Sequence, residues 1–543
     1  MEAEAFAVAD AVGAVDVPER TEASSDAVRG GRVRRALGRA GWWALTCPAF
    51  WLCLIGGFFY CALAVDKVDQ HIAGSFDFGV IFQVIHGWAF HGYPSEPLGA
   101  PQVTNEWGDH FAPILVLLAP LLWIRDSPAV IAVAQAVLIC SAGLPIYYAV
   151  RRLQGPAFAT VACVFYLSCI EVQNAIGFDI HENMFEPLLI AVAIERALAG
   201  KWTIASIAIG ATLFCYEDMG SMVLLFGLWA AWHRKWRHAA ALCVLGPAMI
   251  YLYTGVIVPD WGHDLAFWQA RHFDYLQSLG ASTMSQALAH AAEHPQHFLA
   301  LLVDDPTKID TWLMLLAPVG FLCLASPITY LGATEVVLLM VSDNDTHWST
   351  HYHFYLQVAP IIIIGAADGL RRIGLLLRIL WRRMGPRLPD GPGWLSAGPA
   401  WRVTAVLLAV LAVGASVRME MQTNRDNFSA AIAYLDGKYS RTPQVDEQIA
   451  AIADVIPPNV DVYVSNDLGT VVLTKDTDVA QPSAAEYAFF DLGSKWTPPA
   501  YQQSLEQSLE QQGFHVFAED GQVILMWRPR VSSSSSGTLG TEF

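Results

Sequence analysis

Residues 42–65 read WWALTCPAFWLCLIGGFFYCALAV, an unbroken apolar run that decides the fold class. A helix of about 20 apolar residues spans the hydrocarbon core of a bilayer, so this run predicts a membrane-spanning helix. The run is longer than the apolar part of a signal peptide, and a basic cluster from Arg29 to Arg39 precedes it. Because basic residues stay on the cytoplasmic side, we expect an anchor helix whose amino terminus lies in the cytoplasm.

The composition of the whole chain also indicates a membrane protein. Of its 543 residues 54% are hydrophobic and 15% are charged, against about 25% charged residues in soluble domains. The formal net charge is -18, which argues against a nucleic-acid partner because phosphate binding needs a basic face. The 9 cysteines lie in or beside apolar runs, so the sequence predicts no disulfide framework.

Further apolar runs predict an all-α polytopic bundle of about eleven spans. After the first, they lie at roughly 128–150, 157–175, 184–199, 202–216, 219–233, 239–258, 311–325, 327–341, 354–371 and 401–418. We interpret the short, proline-containing run 111–124 as a re-entrant or interfacial element, since counting it as a span would reverse every later loop. Residues 202–233 fit a hairpin of two short helices, or one long helix with Glu217 and Asp218 buried at its middle; the hairpin keeps the basic residues 232–237 inside.

Composition and pattern divide the chain into four predicted parts. These are a disordered, basic cytoplasmic amino terminus (1–40), a transmembrane domain (41–418) with outer loops 66–127 and 259–310, an extracytoplasmic α/β domain (419–530) and a disordered tail (531–543). The α/β domain is predicted from alternating, β-branched segments such as 460–465 and 522–527, which are interleaved with helical patterns at 444–456 and 501–512.

The predicted topology places acidic loops together on the outer face. Carboxylates at the bilayer edge are costly without a partner, so each is a candidate for a functional site. The candidates are Asp77; Asp109 and His110; Asp179, His181 and Glu182; Glu217 and Asp218; and the histidines His347, His351 and His353. A carboxylate there can act as a general base toward a hydroxyl, and a carboxylate and histidine cluster can hold a divalent cation such as Mg²⁺ or Mn²⁺. Sugar transfer from a lipid phosphate needs both a general base and a cation that neutralises the leaving phosphate.

Several motifs occur in the order found in a known family. They are FDFGVIFQ at 76–83, GDHFAP at 108–113, FDIH at 178–181, the acidic pair at 217–218, HY at 351–352, VSND at 464–467 and AEYAFFD at 485–491. Over about residues 70–495 the chain resembles the prokaryotic membrane-protein family catalogued as domain of unknown function 2079. The fold of that family is similar to the GT-C glycosyltransferases, multispanning enzymes that use polyprenyl-phosphate sugars and often carry a soluble outer domain at the carboxy end.

The resemblance implies roles for individual residues. The catalytic aspartate of the first outer loop would be Asp77 or Asp109. The acidic pair of oligosaccharyltransferase-type members would fall near Asp179, with His181 or Glu182 beside it, which makes these three the candidate metal ligands. The candidates for substrate binding are His110, Glu217, Asp218 and Arg271, the last because a guanidinium holds phosphate well.

Each candidate also has a purely structural interpretation. Asp77 can cap an interfacial helix, and Asp109 can close a turn before the proline-rich run. The loop at 179–182 can be a hydrogen-bonded corner, and the pair at 217–218 can cap a hairpin. The histidines at 347–353 are more often interfacial residues than a zinc site.

The sequence therefore predicts a multi-pass plasma-membrane glycosyltransferase that moves a sugar from a polyprenyl-phosphate donor to a cell-envelope acceptor on the outer face. Asp77 is the favoured base, and a divalent cation or Arg271 balances the charge of the leaving phosphate. One alternative is a transporter or flippase for a lipid-linked or small solute, which predicts charges along a crossing path and two matching halves. The other is a non-enzymatic envelope assembly protein, which would tolerate separate substitutions of Asp77 and Asp179.

Overall fold

A computed structural model describes most of the apolar bundle and much of the carboxy-terminal domain. The described residues are 46–71, 73–75, 77–95, 105–262, 275–384, 414, 441–458, 460–465, 467–473, 478–479, 482–494 and 499–529. Backbone contacts separate Met1–Trp51 from Leu52–Phe543, and everything below except the start of the first helix concerns the second unit. The amino terminus predicted at 1–40, the tail at 531–543 and, apart from Gly414, the span at 401–418 lie outside the described residues.

Four helices in the described part of the chain are long and apolar enough to cross a membrane. They are Pro48–Asp69, Pro128–Gln154, Pro156–Gly177 and Trp236–Trp261. Shorter apolar helices are Pro113–Leu122, Trp202–Phe214, Met219–Trp232 and Thr329–Val341. The helices predicted from the first run and from 128–150, 157–175 and 239–258 are thus present, whereas a total of about eleven spans is not confirmed.

The individual elements are mostly short helices joined by tight breaks. The α-helices are Pro48–Asp69, Asp77–His86, Ala119–Leu122, Pro128–Ser141, Gly143–Gln154, Pro156–Ser168, Ile170–Gly177, Glu186–Leu198, Trp202–Ala211, Met219–Trp232, Trp236–Leu252, Val258–Gly262, Tyr275–Ser278, Met284–Glu293, Pro295–Leu301, Pro306–Leu316, Ala333–Val341, Asp345–Trp348, Ala359–Met384, Pro443–Ala453, Gly469–Val472 and Pro499–Gln511. The 3₁₀ turns are Glu106–Gly108, Pro113–Leu118, Glu182–Phe185, Thr212–Phe214, Leu322–Ala325, Thr329–Gly332 and Leu356–Val358, and π-helical turns lie at Gly87–His91 and Tyr253–Ile257.

Two predicted stretches of the bundle are interrupted. The run 202–233 forms two helices that stop and restart around residues 215–218, so the alternative of one long helix is not formed. The span predicted at 311–325 is not one helix either, because its α-helix ends at Leu316. Phe321 then adopts a left-handed backbone with φ 55° before the 3₁₀ turn begins, which breaks the helical hydrogen-bond ladder.

The helices Met219–Trp232 and Trp236–Leu252 pack with their backbones nearly in contact. A Cβ atom at Gly246 would lie 2.3 Å from the carbonyl oxygen of Gly220, and a Cβ at Gly220 would lie 2.6 Å from that of Gly246. Small residues at such crossings are typical of helix pairs in membranes, where close packing drives association. The two glycines therefore set the distance between these helices.

The carboxy-terminal domain contains a mixed five-stranded sheet. Its strands are β1 (Asp461–Val464), β2 (Asp478–Val479), β3 (Tyr487–Asp491), β4 (His515–Asp520) and β5 (Val523–Trp527). Their order is β2-β1-β3-β5-β4, with β1 parallel to β2 and β3, and β5 antiparallel to β3 and β4. The strands predicted at 460–465 and 522–527 are β1 and β5. The predicted helices correspond to Pro443–Ala453 and Pro499–Gln511, and Leu509 packs with Phe490 and Ile524 in the domain core.

This domain is tied to the loop that follows the first membrane helix. Arg441 donates to the backbone carbonyls of Gln70 at 3.1 Å and His71 at 2.7 Å. The same guanidinium is paired with two buried carboxylates, Asp467 and Asp491. A few residues further on, a Cβ atom at Gly469 would lie 2.4 Å from the Cα of Ser75, so only glycine allows that approach. The loop leading into Asp77 is therefore held by the carboxy-terminal domain.

Candidate active site

A cavity of about 460 Å³ collects side chains from loops that are far apart in the sequence. Its size is in the range of pockets that hold one small molecule. Among the described residues, acids and histidines line it and neither lysine nor arginine does. The acids are Asp77, Glu106, Asp109, Glu182, Glu186, Glu217, Asp218 and Glu335, and the histidines are His110, His181, His347 and His353.

Asp77 reaches the cavity from the start of a helix. It is the first residue of Asp77–His86, in the acidic first turn of that helix, and it lines the cavity. The unpaired N–H groups of a helix start favour a carboxylate. The structure thus places Asp77 both at a helix start and at the cavity, and its role as a base stays a prediction.

His110 is paired with the acidic loop at 217–218. Its Nδ1 lies 3.1 Å from Oε1 of Glu217, and its ring lies 4.8 Å from that of Tyr216. Burial lowers the pKa of His110, but the carboxylates of Glu217 and Asp109 outweigh it and raise that pKa well above the usual value. The raised pKa favours the imidazolium form of His110, which lies beside Glu217 and Asp109.

The turn before His110 fixes this geometry. Asn105 caps the short 3₁₀ turn by accepting from the backbone N–H of Trp107 at 3.0 Å. The N–H groups of Asp109 and His110 both donate to the carbonyl of Glu106, at 2.9 and 2.7 Å. Asp109 is 6% exposed and lines the cavity beside His110. The structure thus brings the predicted residues Asp77, Asp109, His110 and Glu217 to one cavity.

A second pair of histidines stays neutral. The rings of His181 and His353 are stacked, with centroids 3.4 Å apart, and the ring of Phe178 lies nearly parallel to both, 5.6 Å from His181 and 6.0 Å from His353. Burial, followed by the charges of neighbouring histidines, lowers the pKa of His181 well below its usual value. The same burial lowers the pKa of His353 to about 3. These rings can accept a hydrogen bond, but they supply no positive charge.

Asp179 does not line the cavity with His181 and Glu182, the two residues predicted to bind a metal ion together with it. One of its oxygens lies 2.5 Å from Nζ of Lys67, and the other accepts from the backbone N–H of Gly74 at 3.0 Å. His181 and Glu182 line the cavity, whereas Asp179 is not among the lining residues. In the described part of the chain no three His, Cys, Asp or Glu side chains are placed to hold a metal ion. A metal role for these three residues stays a prediction.

Asp218 belongs to a group of acids that also includes Glu186 and Glu335. Asp218 precedes the helix Met219–Trp232, but its side chain makes no cap hydrogen bond. Burial, and then the charge of Glu335, raises the pKa of Asp218 well above its usual value. Sequence analysis did not single out Glu335, although a lone acid inside the apolar run 333–341 is an indication of a functional residue.

The structure does not place two other predicted residues at the cavity. Arg271 lies among residues that the structure does not describe, so its role in phosphate binding stays a prediction. His351 is not among the residues that line the cavity, although His347 and His353 are. His347 is oriented by Ser342, whose Oγ lies 2.8 Å from its Nδ1.

Comparison with known proteins identifies the family and gives distant structural likenesses. The family model described as "Predicted membrane protein (DUF2079)" matches residues 69–491, which confirms the resemblance inferred from the motifs. No curated protein matches significantly. Among solved structures, ArnT from Cupriavidus metallidurans bound to undecaprenyl phosphate is 13% identical with a TM-score of 0.49, covering 92% of this chain and 99% of that chain. The oligosaccharyltransferase AglB from Archaeoglobus fulgidus, in complex with an inhibitory peptide and a dolichol-phosphate, is 12% identical with a TM-score of 0.46, covering 92% of this chain and 75% of that chain.

Proposed function

The chain belongs to the DUF2079 family of membrane proteins, and from the chemistry of its cavity we propose that it is a membrane glycosyltransferase. It would move a sugar from a polyprenyl-phosphate donor to an acceptor at the outer face of the plasma membrane. The observation that carries the proposal is the convergence of Asp77, Asp109, His110 and Glu217 on one cavity of about 460 Å³. This set contains both a carboxylate base and a cationic partner for phosphate.

Asp77 is the proposed general base. Its carboxylate removes the proton of the acceptor hydroxyl while the acceptor oxygen forms a bond to the anomeric carbon of the donor sugar. The bond from that carbon to the phosphate oxygen breaks, and its electron pair leaves with the polyprenyl phosphate. Holding acceptor and donor in one cavity supplies the orientation that such a displacement needs.

His110 is the proposed partner for the negative charge of the leaving phosphate. Among the described residues it is the lining histidine whose pKa is raised, and neither lysine nor arginine lines the cavity with it. An N–H of an imidazolium can donate a charge-assisted hydrogen bond to a phosphate oxygen. Glu217, 3.1 Å away, keeps the ring charged and oriented.

We assign no step of the reaction to a metal ion. The described part of the cavity has no set of three converging ligands, and Asp179 is bound to Lys67. A dependence on Mg²⁺ or Mn²⁺ is tested directly by adding each ion, or a chelator, to the purified protein during turnover.

The test of the proposal is donor turnover by the full chain in proteoliposomes. The probes are polyprenyl-phosphate hexoses labelled in the sugar, supplied with cell-envelope extract as the acceptor, and the product measured is the labelled sugar transferred to that acceptor. General-base catalysis contributes about 10²–10⁴-fold, so D77N should lower the rate by at least about a hundredfold. D126N is the control, because Asp126 is partly exposed and is not among the residues that line the cavity. Turnover by D77N equal to that of the wild type, or no turnover of any donor by the folded wild type, would overturn the proposal.

The proposed orientation has a separate test. Lys235 lies in the basic loop proposed to face the cytoplasm, and His515 lies on β4 of the domain proposed to face outward; both are exposed. In intact cells, a membrane-impermeant thiol reagent should label H515C and leave K235C unlabelled. Labelling of both variants would contradict the proposed topology.

A further inference from the structure

One wall of the cavity is built from the starts of three helices, each with an acidic residue. Glu186 is the first residue of its helix, Asp218 immediately precedes the next one, and Glu335 lies in the first turn of a third. All three line the cavity. The Asp218 and Glu335 carboxyl groups are close enough to hydrogen-bond to each other through a shared proton. We call these three residues the acidic wall.

The acidic wall contains a carboxylate whose partner the described residues do not supply. Glu186 is 1% exposed, and neither of its side-chain oxygens has a hydrogen-bond partner there. Oδ1 of Asp218 likewise has no hydrogen-bond partner among the described residues, whereas Glu335 accepts a hydrogen bond from Oγ of Ser221 at 3.0 Å. Burying an unpaired carboxylate is costly, so the acidic wall needs either bound protons or a cation that enters the cavity.

Of His110, His181 and His353, His110 alone favours the charged form, and its charge is shared with acids outside the acidic wall. His110 is charged, but Glu217 lies 3.1 Å from its ring and Asp109 lies beside it. His181 and His353 are neutral because burial lowers their pKa values. Besides bound protons, a positive charge brought by a ligand can therefore neutralise the acidic wall.

An organic ammonium group fits this wall better than a metal ion does. A primary ammonium has three N–H donors, so it can bind to carboxyl groups of the wall without all three having to converge on one point. The aromatic rings of Tyr216, Tyr352 and Phe354 line the same cavity and can face an organic cation. In contrast, no three metal-ligating side chains converge anywhere in the described structure.

We propose that Glu186, Asp218 and Glu335 form a subsite for a primary ammonium group carried by the substrate. The inference deepens the proposed function and rests on it for the identity of the bound molecule, which would be either an amino sugar on the donor or an amine on the acceptor. The binding itself does not depend on turnover. The acidic wall would thereby distinguish a charged substrate from a neutral one of the same shape.

The experiment measures binding to the full chain in nanodiscs of phosphatidylglycerol, a lipid without an amine. The probes for a donor are glucosamine, N-acetylglucosamine and glucose, which differ at one ring carbon. The probes for an acceptor are ethanolamine and ethylene glycol. Dissociation constants come from the dependence of the thermal unfolding midpoint on ligand concentration. We expect an amine probe to bind at least about tenfold tighter than its neutral counterparts, as a charge-assisted contact implies.

The variants E186Q and E335Q should remove this preference while leaving the binding of the neutral probes unchanged. E171Q is the matched control, because Glu171 is also a buried glutamate, 7% exposed, and does not line the cavity. Selective binding of glucosamine would identify a donor amino sugar, and selective binding of ethanolamine an acceptor amine.

Two results would overturn the inference. One is equal binding of amine and neutral probes by the wild type, which needs no variant to fold. The other is binding of Mg²⁺ or Mn²⁺ alone that depends on Glu186, without any preference for the amines. Either result leaves the proposed function standing, since D77N tests that function through turnover and not through ligand binding.

Discussion

Substitution of Lys67 by methionine should destabilise the fold, because it leaves a buried carboxylate without its cation. Nζ of Lys67 lies 2.5 Å from Oδ1 of Asp179, and the two side chains are 8% and 7% exposed. At that distance and an effective dielectric constant of about 20, their attraction is about 7 kcal/mol, most of which the cost of removing both charges from water offsets. Removing one partner of such a pair costs about 3–5 kcal/mol. Because Asp179 keeps the N–H of Gly74 at 3.0 Å, we expect about 3 kcal/mol for K67M.

The assay is a double-mutant cycle on the free energy of unfolding, measured by titration with sodium dodecyl sulfate in mixed micelles. D179N alone should also cost about 3 kcal/mol, and K67M/D179N should cost no more than either single variant, since the interaction is lost only once. D126N is the control: Asp126 is 36% exposed and 3.4 Å from His86, so its loss should cost less than about 1 kcal/mol. Additive effects of K67M and D179N would refute the pairing and would reopen a separate role for Asp179, such as holding a metal.

Three further predictions concern other parts of the molecule. Arg441 neutralises two buried carboxylates, so R441Q should lower the free energy of unfolding by about 3 kcal/mol and increase proteolysis of residues 441–529. An unchanged digestion pattern would show that Arg441 does not hold the carboxy-terminal domain to the loop after the first membrane helix. The pKa of His353 is about 3 in the folded protein and about 6.5 in the unfolded chain. Below pH 6.5 the unfolded chain therefore binds a proton that the folded protein does not, so the contribution of His353 to stability is complete above about pH 6.5 and is lost as the pH falls toward 3. H353F should therefore remove about 2 kcal/mol of the stability loss between pH 7 and pH 5, and an equal loss in both proteins would refute this. A Cβ atom at Gly246 would lie 2.3 Å from a backbone oxygen, so G246A should lower the free energy of unfolding by about 1–3 kcal/mol. The control is G374A, which has no atom within 4 Å of the added Cβ and should change that free energy by less than about 0.5 kcal/mol apart from helix propensity. Similar costs for the two variants would argue against close packing at Gly246.

Elements governed by local pattern could be predicted from the sequence. A long apolar run such as 128–150 has to be helical in a membrane, because every backbone polar group must be satisfied internally. The apolar run 523–526 likewise favours a strand, and its four residues are buried on both faces of β5. The structure places a helix at Pro128–Gln154 and a strand at Val523–Trp527.

The breaks inside apolar runs could not be located in this way. The run 311–325 is apolar on both sides of Phe321, and the left-handed backbone of Gly320 and Phe321 shows that the helix is broken there. A window of hydropathy averages over such a residue. The predicted number of spans is therefore not confirmed, whereas four long apolar helices are present in the described part of the chain.

Which acids meet at the site also depended on tertiary structure. Asp179, His181 and Glu182 are neighbours in sequence, yet Asp179 pairs with Lys67 while the other two line the cavity. Lys67 lies near the carboxyl end of an apolar helix, and no local pattern links it to a residue more than a hundred positions away. Glu335 is the opposite case, since its isolation within an apolar run was visible in the sequence and had a physical meaning.

The position of Asp77 depends on both parts of the molecule. The bundle holds the preceding loop through Asp179, which accepts from Gly74, and the carboxy-terminal domain holds it through Arg441 and through the contact of Gly469 with Ser75. Because a displacement of about 1 Å can cost a hundredfold in rate, loosening the loop from either side should lower turnover even where Asp77 itself is intact. We therefore expect R441Q and K67M to reduce donor turnover in proteoliposomes, while D126N does not; full activity in both variants would show that Asp77 is positioned by its own helix alone.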